Sequence, residues 1–197
     1  MATVEWTTPV SKEEILKVRV GDIVYISGEI LTARDRAHER ALKYLEAGKK
    51  LPIDLNGAVV FYCGPLIKKI GERLKIVSCG PTTTMRMNGY IREIVKRISH
   101  IVLVGKGEKG NEIAEALRGK GVFLAFPGGV GALAARAVKS INAIHWEDLG
   151  LPEAVWVLEV EKLGPCVVAI DAHGNNIYEE VERRVEENFR RLLVKIE

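Results

Sequence analysis

Two apolar runs set the architecture of this chain: "HIVLVGKG" at 100–107 and "VFLAFPGG" at 122–129. Each is too short to be a buried helix, carries no polar alternation, and ends at glycine. Such runs suit strands whose two faces are both covered, as in a parallel sheet with helices packed on it. Between and around them lie stretches with helical spacing. "NEIAEALRGKG" is a short helix ended by glycine, and "VGALAARAVKS" reads as another. The segment after Thr82 brings Met87, Tyr90, Ile91, Ile94 and Ile98 onto one face. With "RLKIVSC" before it and "EAVWVLEVEKL" after the last helix, strand–helix–strand repeats three times. That pattern predicts right-handed crossovers and an α/β fold with a largely parallel sheet.

The flanks complete this frame. Ser11 and Glu14 form a capping box at the start of a helix over 11–17. "DIVYISGEI" reads as a strand with a glycine in its middle, and "GAVVFYCGP" at 57–65 as a second one stopped by Gly-Pro. In "LTARDRAHERALKYLEAGKK" Thr32 has the position of a cap, Asp35 follows three residues on, and Gly48 closes the helix. "CVVAIDAHGNN" is a strand and turn. The final helix places Val181, Val185, Phe189 and Leu192 on one face, and its charges pair at i,i+4 spacing. No linker or internal repeat divides the 197 residues, which read as a single domain, 1–197.

Composition excludes several classes. Hydrophobic residues make up 47% of the chain, enough for a sizeable core, and charged residues 28%, too mixed in sign for a disordered tail. A net charge of +3 without interleaved aromatic and basic residues gives no nucleic-acid signature. The N-terminus lacks a basic and then apolar leader, and no apolar run reaches membrane-spanning length. A soluble, cytoplasmic chain is expected. Cys63, Cys79 and Cys166 are odd in number and widely spaced, which argues against a disulfide framework and against C-x-x-C zinc sites. Three cysteines could ligate an iron–sulfur cluster, but such ligands usually include a close pair. Each of these three sits in or beside an apolar run, where Cys acts as a small hydrophobe.

Two helix starts break the usual charge rule. In "TARD", Arg34 falls in the first turn behind Thr32. In "PTTTMR", Arg86 does so behind three threonines. The helix dipole makes an N-terminal cation unfavourable by roughly 0.3–1 kcal/mol. Either these arginines point to solvent or pair with a nearby acid, or they join the free N–H groups in holding an anion. Lys106, between Gly105 and Gly107, lies where a buried strand ends, the edge at which open α/β sheets place ligands. It is either a solvated loop lysine or a third cation of that site. "FPGGVGALAARA" lacks the G-x-G-x-x-G spacing of a dinucleotide loop, and close helix packing is the simpler explanation. His38 follows Arg34 by one helical turn and could face the same pocket. His173 belongs to a turn.

Taken together, "SGEILTARDRAH", "GAVVFYCGP", "CGPTTTMRMNGY", "GKG", "FPGGVGALAA" and "WEDLGLPEAVWVLEV" resemble the beta subunit of two-subunit class I fumarate hydratases. The L-tartrate dehydratase beta subunit is a close relative of that family. In single-chain class I fumarases the same sequence forms the C-terminal domain. The resemblance runs from Val10 to Val185 and implies a swivelling β/β/α domain. It also implies a [4Fe–4S] cluster held by a separate alpha subunit and not by this chain, with an active site closed at the interface of an alpha2beta2 assembly. By the same resemblance, Thr82 is the catalytic base and Thr83 a substrate contact. Arg34 and Arg86 are ligands of substrate carboxylates, and Lys106 is a further substrate-binding residue. The chain departs from the family in reading "GEKG" after that lysine.

These roles make chemical sense for a C4 dicarboxylate, which needs cations at both ends. A threonine hydroxyl is a poor base unless positive charge favours its alkoxide. Positioning of substrate is the milder role for Thr82. Three functions follow as expectations: reversible dehydration of (S)-malate to fumarate, dehydration of L-tartrate to oxaloacetate, or a non-catalytic anion- or nucleotide-binding module.

Overall fold

A computed structural model describes residues 1–107 and 110–193. In chain order the elements are β1 (Thr3–Thr7), α1 (Lys12–Lys17), β2 (Ile23–Thr32), α2 (Asp35–Glu46), β3 (Val59–Phe61), β4 (Leu66–Ile70) and β5 (Arg73–Ser78). Then follow α3 (Asn88–Val95), β6 (Ile101–Gly105), α4 (Asn111–Leu117), β7 (Gly121–Ala125), α5 (Gly131–Ala137), β8 (Val138–His145), β9 (Val155–Ile170) and α6 (Ile177–Leu193). The main sheet has the order β1-β2-β3-β6-β7-β9-β8. Strands β1, β2, β3, β6 and β7 run parallel, and β9 is antiparallel to each strand it meets. The fold is therefore mixed α/β with mostly parallel strands, as the apolar runs predict.

The sheet also closes on itself. β9 pairs with β7 through Leu124↔Val168 and with β2 through Val24↔Cys166, so the order β2-β3-β6-β7-β9 returns to β2. The continuous apolar runs now have a physical reason. Along β6, Val102 and Val104 enter one core cluster while Ile101 and Leu103 enter another. In β7, Val122 and Leu124 divide from Phe123 in the same way. The first cluster is anchored by Trp6, Phe61 and Trp156. The second lies under α2, α3 and α4, with Ala37, Ile91, Ile94 and Leu117 facing it.

Some local expectations hold and others need correction. The Ser11–Glu14 capping box is present in both directions. "RLKIVSC" does not begin the crossover series. It is β5, paired antiparallel with β4 across a tight turn at Gly71, whose φ is +61°, in a hairpin outside the main sheet. The chain after α5 does not cross over to a parallel strand but runs straight into β8, antiparallel to β9. "EAVWVLEVEKL" and "CVVAI" form one long strand, irregular at Lys162, which adopts φ 50°. β1 is a further strand, fixed by burial of Trp6 beside β2. In α6 the apolar stripe exists, but Val181, Val185, Phe189 and Leu192 are exposed.

Glycine is required where the chain passes closest to itself. At Gly105, the last residue of β6, an added Cβ would lie 2.1 Å from Thr84 Cγ2 and 2.9 Å from Tyr62 Cδ2. Gly105→Ala is expected to destabilise the chain by about 2–3 kcal/mol, as overpacking of a fixed core does. Chemical denaturation of the purified protein measures this, and an unchanged midpoint would contradict it.

Candidate active site

The carboxyl ends of β2, β3, β6 and β7 share one rim of the sheet, and each contributes to the candidate site. After β3, the carbonyl of Tyr62 accepts from Thr82 N at 2.7 Å, and Cys63 bridges to Pro81. After β6, Lys106 bridges to Thr83, and its carbonyl accepts from Thr84 N at 3.3 Å and Thr84 Oγ1 at 2.9 Å. The segment Pro81–Thr83 is thus bridged to two strand ends, and Thr84 turns into helical backbone with φ −96° and ψ −18°. This corrects the sequence-based picture of threonines opening a helix. Helical structure begins only at the 3-10 turn Met85–Met87, and the Thr84 hydroxyl bonds Lys106 rather than capping it. Thr84 is buried, Thr82 half-buried and Thr83 exposed, so the first two threonine side chains line the surface and the third supports it.

Arg34 and Arg86 approach the rim from its other side. Arg34 is the residue before α2, in extended conformation, and its Nε lies 3.4 Å from Glu153 Oε1. Its side chain crosses Gly64, where a Cβ would come within 2.9 Å of Nη1 and 2.7 Å of the Pro152 carbonyl. Arg86 donates from Nε and Nη2 to the two oxygens of Asp35 at 2.9 and 3.0 Å. Hydrogen bonding to Arg86 holds the Asp35 carboxyl below the usual carboxylate range, and Asp35 in turn strengthens the charge on Arg86. Both arginines therefore pair with an acid, the first of the alternatives posed by the sequence, while remaining at the rim. Lys106 is half-buried, and its Cδ and Nζ run past Gly128 after β7.

Thr32 does not cap α2. It is buried at the end of β2, where its Oγ1 accepts from Trp156 N at 3.1 Å. His38 turns inward and not to the rim: its Nδ1 lies 2.7 Å from the Arg34 carbonyl and its ring stacks edge-on to Tyr62. His173 sits in its expected turn, against the Leu16 carbonyl and Arg19. Gly131 accounts for the glycine-rich turn, since an added Cβ would meet Ser78 Oγ at 2.4 Å and Gly80 N at 3.1 Å. That is close packing of α5 on the site loop. The "GEKG" departure falls on Glu108 and Lys109, outside the described residues.

The three cysteines lie in the apolar core, two of them side by side. Cys63 and Cys79 are buried with sulfurs 3.9 Å apart, and Cys166 is buried beside the Leu163 carbonyl. Among the described residues no three His, Cys, Asp or Glu side chains gather as a metal site. Burial pushes the Cys63 thiol well up and the Cys166 thiol to about 12. The native chain should therefore release less than about one equivalent of thiol to a disulfide reagent near pH 8. All three should react after denaturation. Fast native reaction of two or more thiols would contradict this.

Sequence comparison identifies the family. The profile of the family described as Fumarase C-terminus matches residues 1–181. A Methanocaldococcus jannaschii protein provisionally named L(+)-tartrate dehydratase subunit beta is 44% identical over 185 residues, 93% of this chain and 95% of that one. The Escherichia coli L(+)-tartrate dehydratase subunit beta is 41% identical over 175 residues, 88% of this chain and 86% of its own. A Geobacillus stearothermophilus protein provisionally named fumarate hydratase class I is 34% identical over 177 residues, covering 89% of this chain but 33% of that longer protein. With the profile spanning nearly the whole sheet and every residue of the rim, the chain belongs to the Fumarase C-terminus family.

Proposed function

We propose that this chain is the beta subunit of a two-subunit hydro-lyase that interconverts (S)-malate and fumarate, its active site completed by an alpha subunit in an alpha2beta2 assembly. The observation that carries the reading is the convergence of residues far apart in sequence on one rim. Arg34, Thr82, Thr83, Arg86 and Lys106 come from three separate segments, and backbone bonds to the Tyr62 and Lys106 carbonyls strap the threonines there. Two arginines and a lysine suit a substrate with a carboxylate at each end, because guanidinium forks bind carboxylates in plane. Thr82 then removes the carbon-bound proton, with the flanking cations favouring its alkoxide. Thr83 and Lys106 orient the substrate.

The cysteines do not fit a cluster donor set, since two are paired in the core and the third is apart. We therefore assign the [4Fe–4S] cluster, and its Lewis-acid chemistry, to the alpha subunit. A second reading, dehydration of L(+)-tartrate to oxaloacetate, is favoured by the names of the relatives at 44% and 41% identity. Tartrate differs by one hydroxyl, which a single polar contact can discriminate.

Anaerobic reconstitution with the alpha subunit, followed by kcat/KM on both diacids, tests both readings. The higher value names the substrate, and turnover by this chain alone without iron would overturn the two-subunit scheme.

A further inference from the structure

We propose that Asp35 is a positioning residue that aims Arg86 at the substrate. A guanidinium has two edges that can face a carboxylate, Nε with one Nη, and the pair of Nη atoms. Asp35 fills the Nε–Nη2 edge of Arg86 with two near-parallel bonds of 2.9 and 3.0 Å. The plane of the group is then fixed, and the Nη1–Nη2 edge is presented outward from the pair. This rests on the dicarboxylate reading given above.

The two partners differ in how they are held. Asp35 opens α2, directly after the strand end that places Arg34, and a carboxylate is favoured at a helix N-terminus. Arg86 stands in the short turn Met85–Met87, which has no side-chain cap. Its guanidinium donates both of these hydrogen bonds to Asp35. Orientation therefore passes from α2 to the turn. The adjacent residues Arg34 and Asp35 would thus set both carboxylate forks, one by supplying it and the other by steering it. An exposed ion pair adds little to stability, so the value of this pair lies in geometry.

The test is a double-mutant cycle in the reconstituted complex with Asp35→Asn, Arg86→Ala and both. Asp35→Asn should raise KM by about tenfold with a smaller change in kcat, and should change KM less than about twofold when Arg86 is already alanine. Asp35→Glu, which keeps the charge, should fall between Asn and wild type. A wild-type KM for Asp35→Asn, or the same fold-rise in the Arg86→Ala background, would overturn the proposal. A readout independent of turnover is the Arg86 Nε–H signal in nitrogen-edited NMR of the full chain, protected in wild type and lost in Asp35→Asn. An unprotected signal in wild type would also overturn it. If wild-type complex turns over neither diacid, the hydro-lyase reading fails and this one falls with it. If turnover is present and Asp35→Asn is silent, only this one fails.

Discussion

Replacing Thr82 with valine is expected to lower kcat by about 10³-fold in the reconstituted complex while KM shifts less than about threefold, the signature of a lost proton-transfer group. Valine keeps the shape and the β-branch of threonine, so the bridged segment and the bond from residue 82 N to the Tyr62 carbonyl should persist. What disappears is the hydroxyl. Thr84→Val serves as the control, because that hydroxyl is committed to the Lys106 carbonyl at 2.9 Å and its loss should act on stability and loop placement. A rise in KM with kcat preserved at Thr82→Val would reduce Thr82 to a positioning group. Steady-state kinetics on the preferred diacid, with circular dichroism to confirm the fold, separates these results.

Arg86→Lys should cost at least about 100-fold in kcat/KM, although the charge is kept. The wild-type guanidinium can bind Asp35 on one edge and a second carboxylate on the other, each in plane. A lysine ammonium is one point charge on a flexible stem. It would be drawn to Asp35, 31% exposed at the rim, and would leave the substrate carboxylate without its fork. Stability should change little, since the pair is partly exposed and lysine keeps the charge. Kinetics within about twofold of wild type would contradict the assignment of Arg86 to substrate.

The parts of the fold that were legible in sequence are those set by local or two-sided burial. β6 and β7 are buried on both faces, so they read as unbroken apolar runs, and α1 carries its own capping box. The parts that were not legible depend on distant partners. Thr32 satisfies the local grammar of a cap, yet tertiary burial commits its oxygen to Trp156 N. β8 is a half-exposed strand whose Val138, Ile141 and Ile144 also fit a helix spacing, and only pairing with β9 decides it. β4 mixes Leu66, Ile67 and Ile70 with two lysines, largely exposed, so burial imposes no period on it. At the site, Arg34, Thr82, Thr83, Arg86 and Lys106 could be singled out as chemically odd at their positions. The acids that hold the arginines could not, because Asp35 and Glu153 reach them across the fold.

The return of β9 to β2 has a consequence for how the chain is made. β2 emerges early, but the strand that closes the sheet beside it comes last among the strands, and the bond from Trp156 to Thr32 spans 124 positions. Pairings this distant in sequence carry a large loop-closure cost and fold slowly. On a ribosome, β2 must wait with one edge open until β9 is synthesised. Arg34, whose acid partner Glu153 lies just ahead of β9, cannot take its final place before then. The final form of this rim therefore waits for the synthesis of β9, and a chain released before it would carry an unclosed sheet edge open to aggregation.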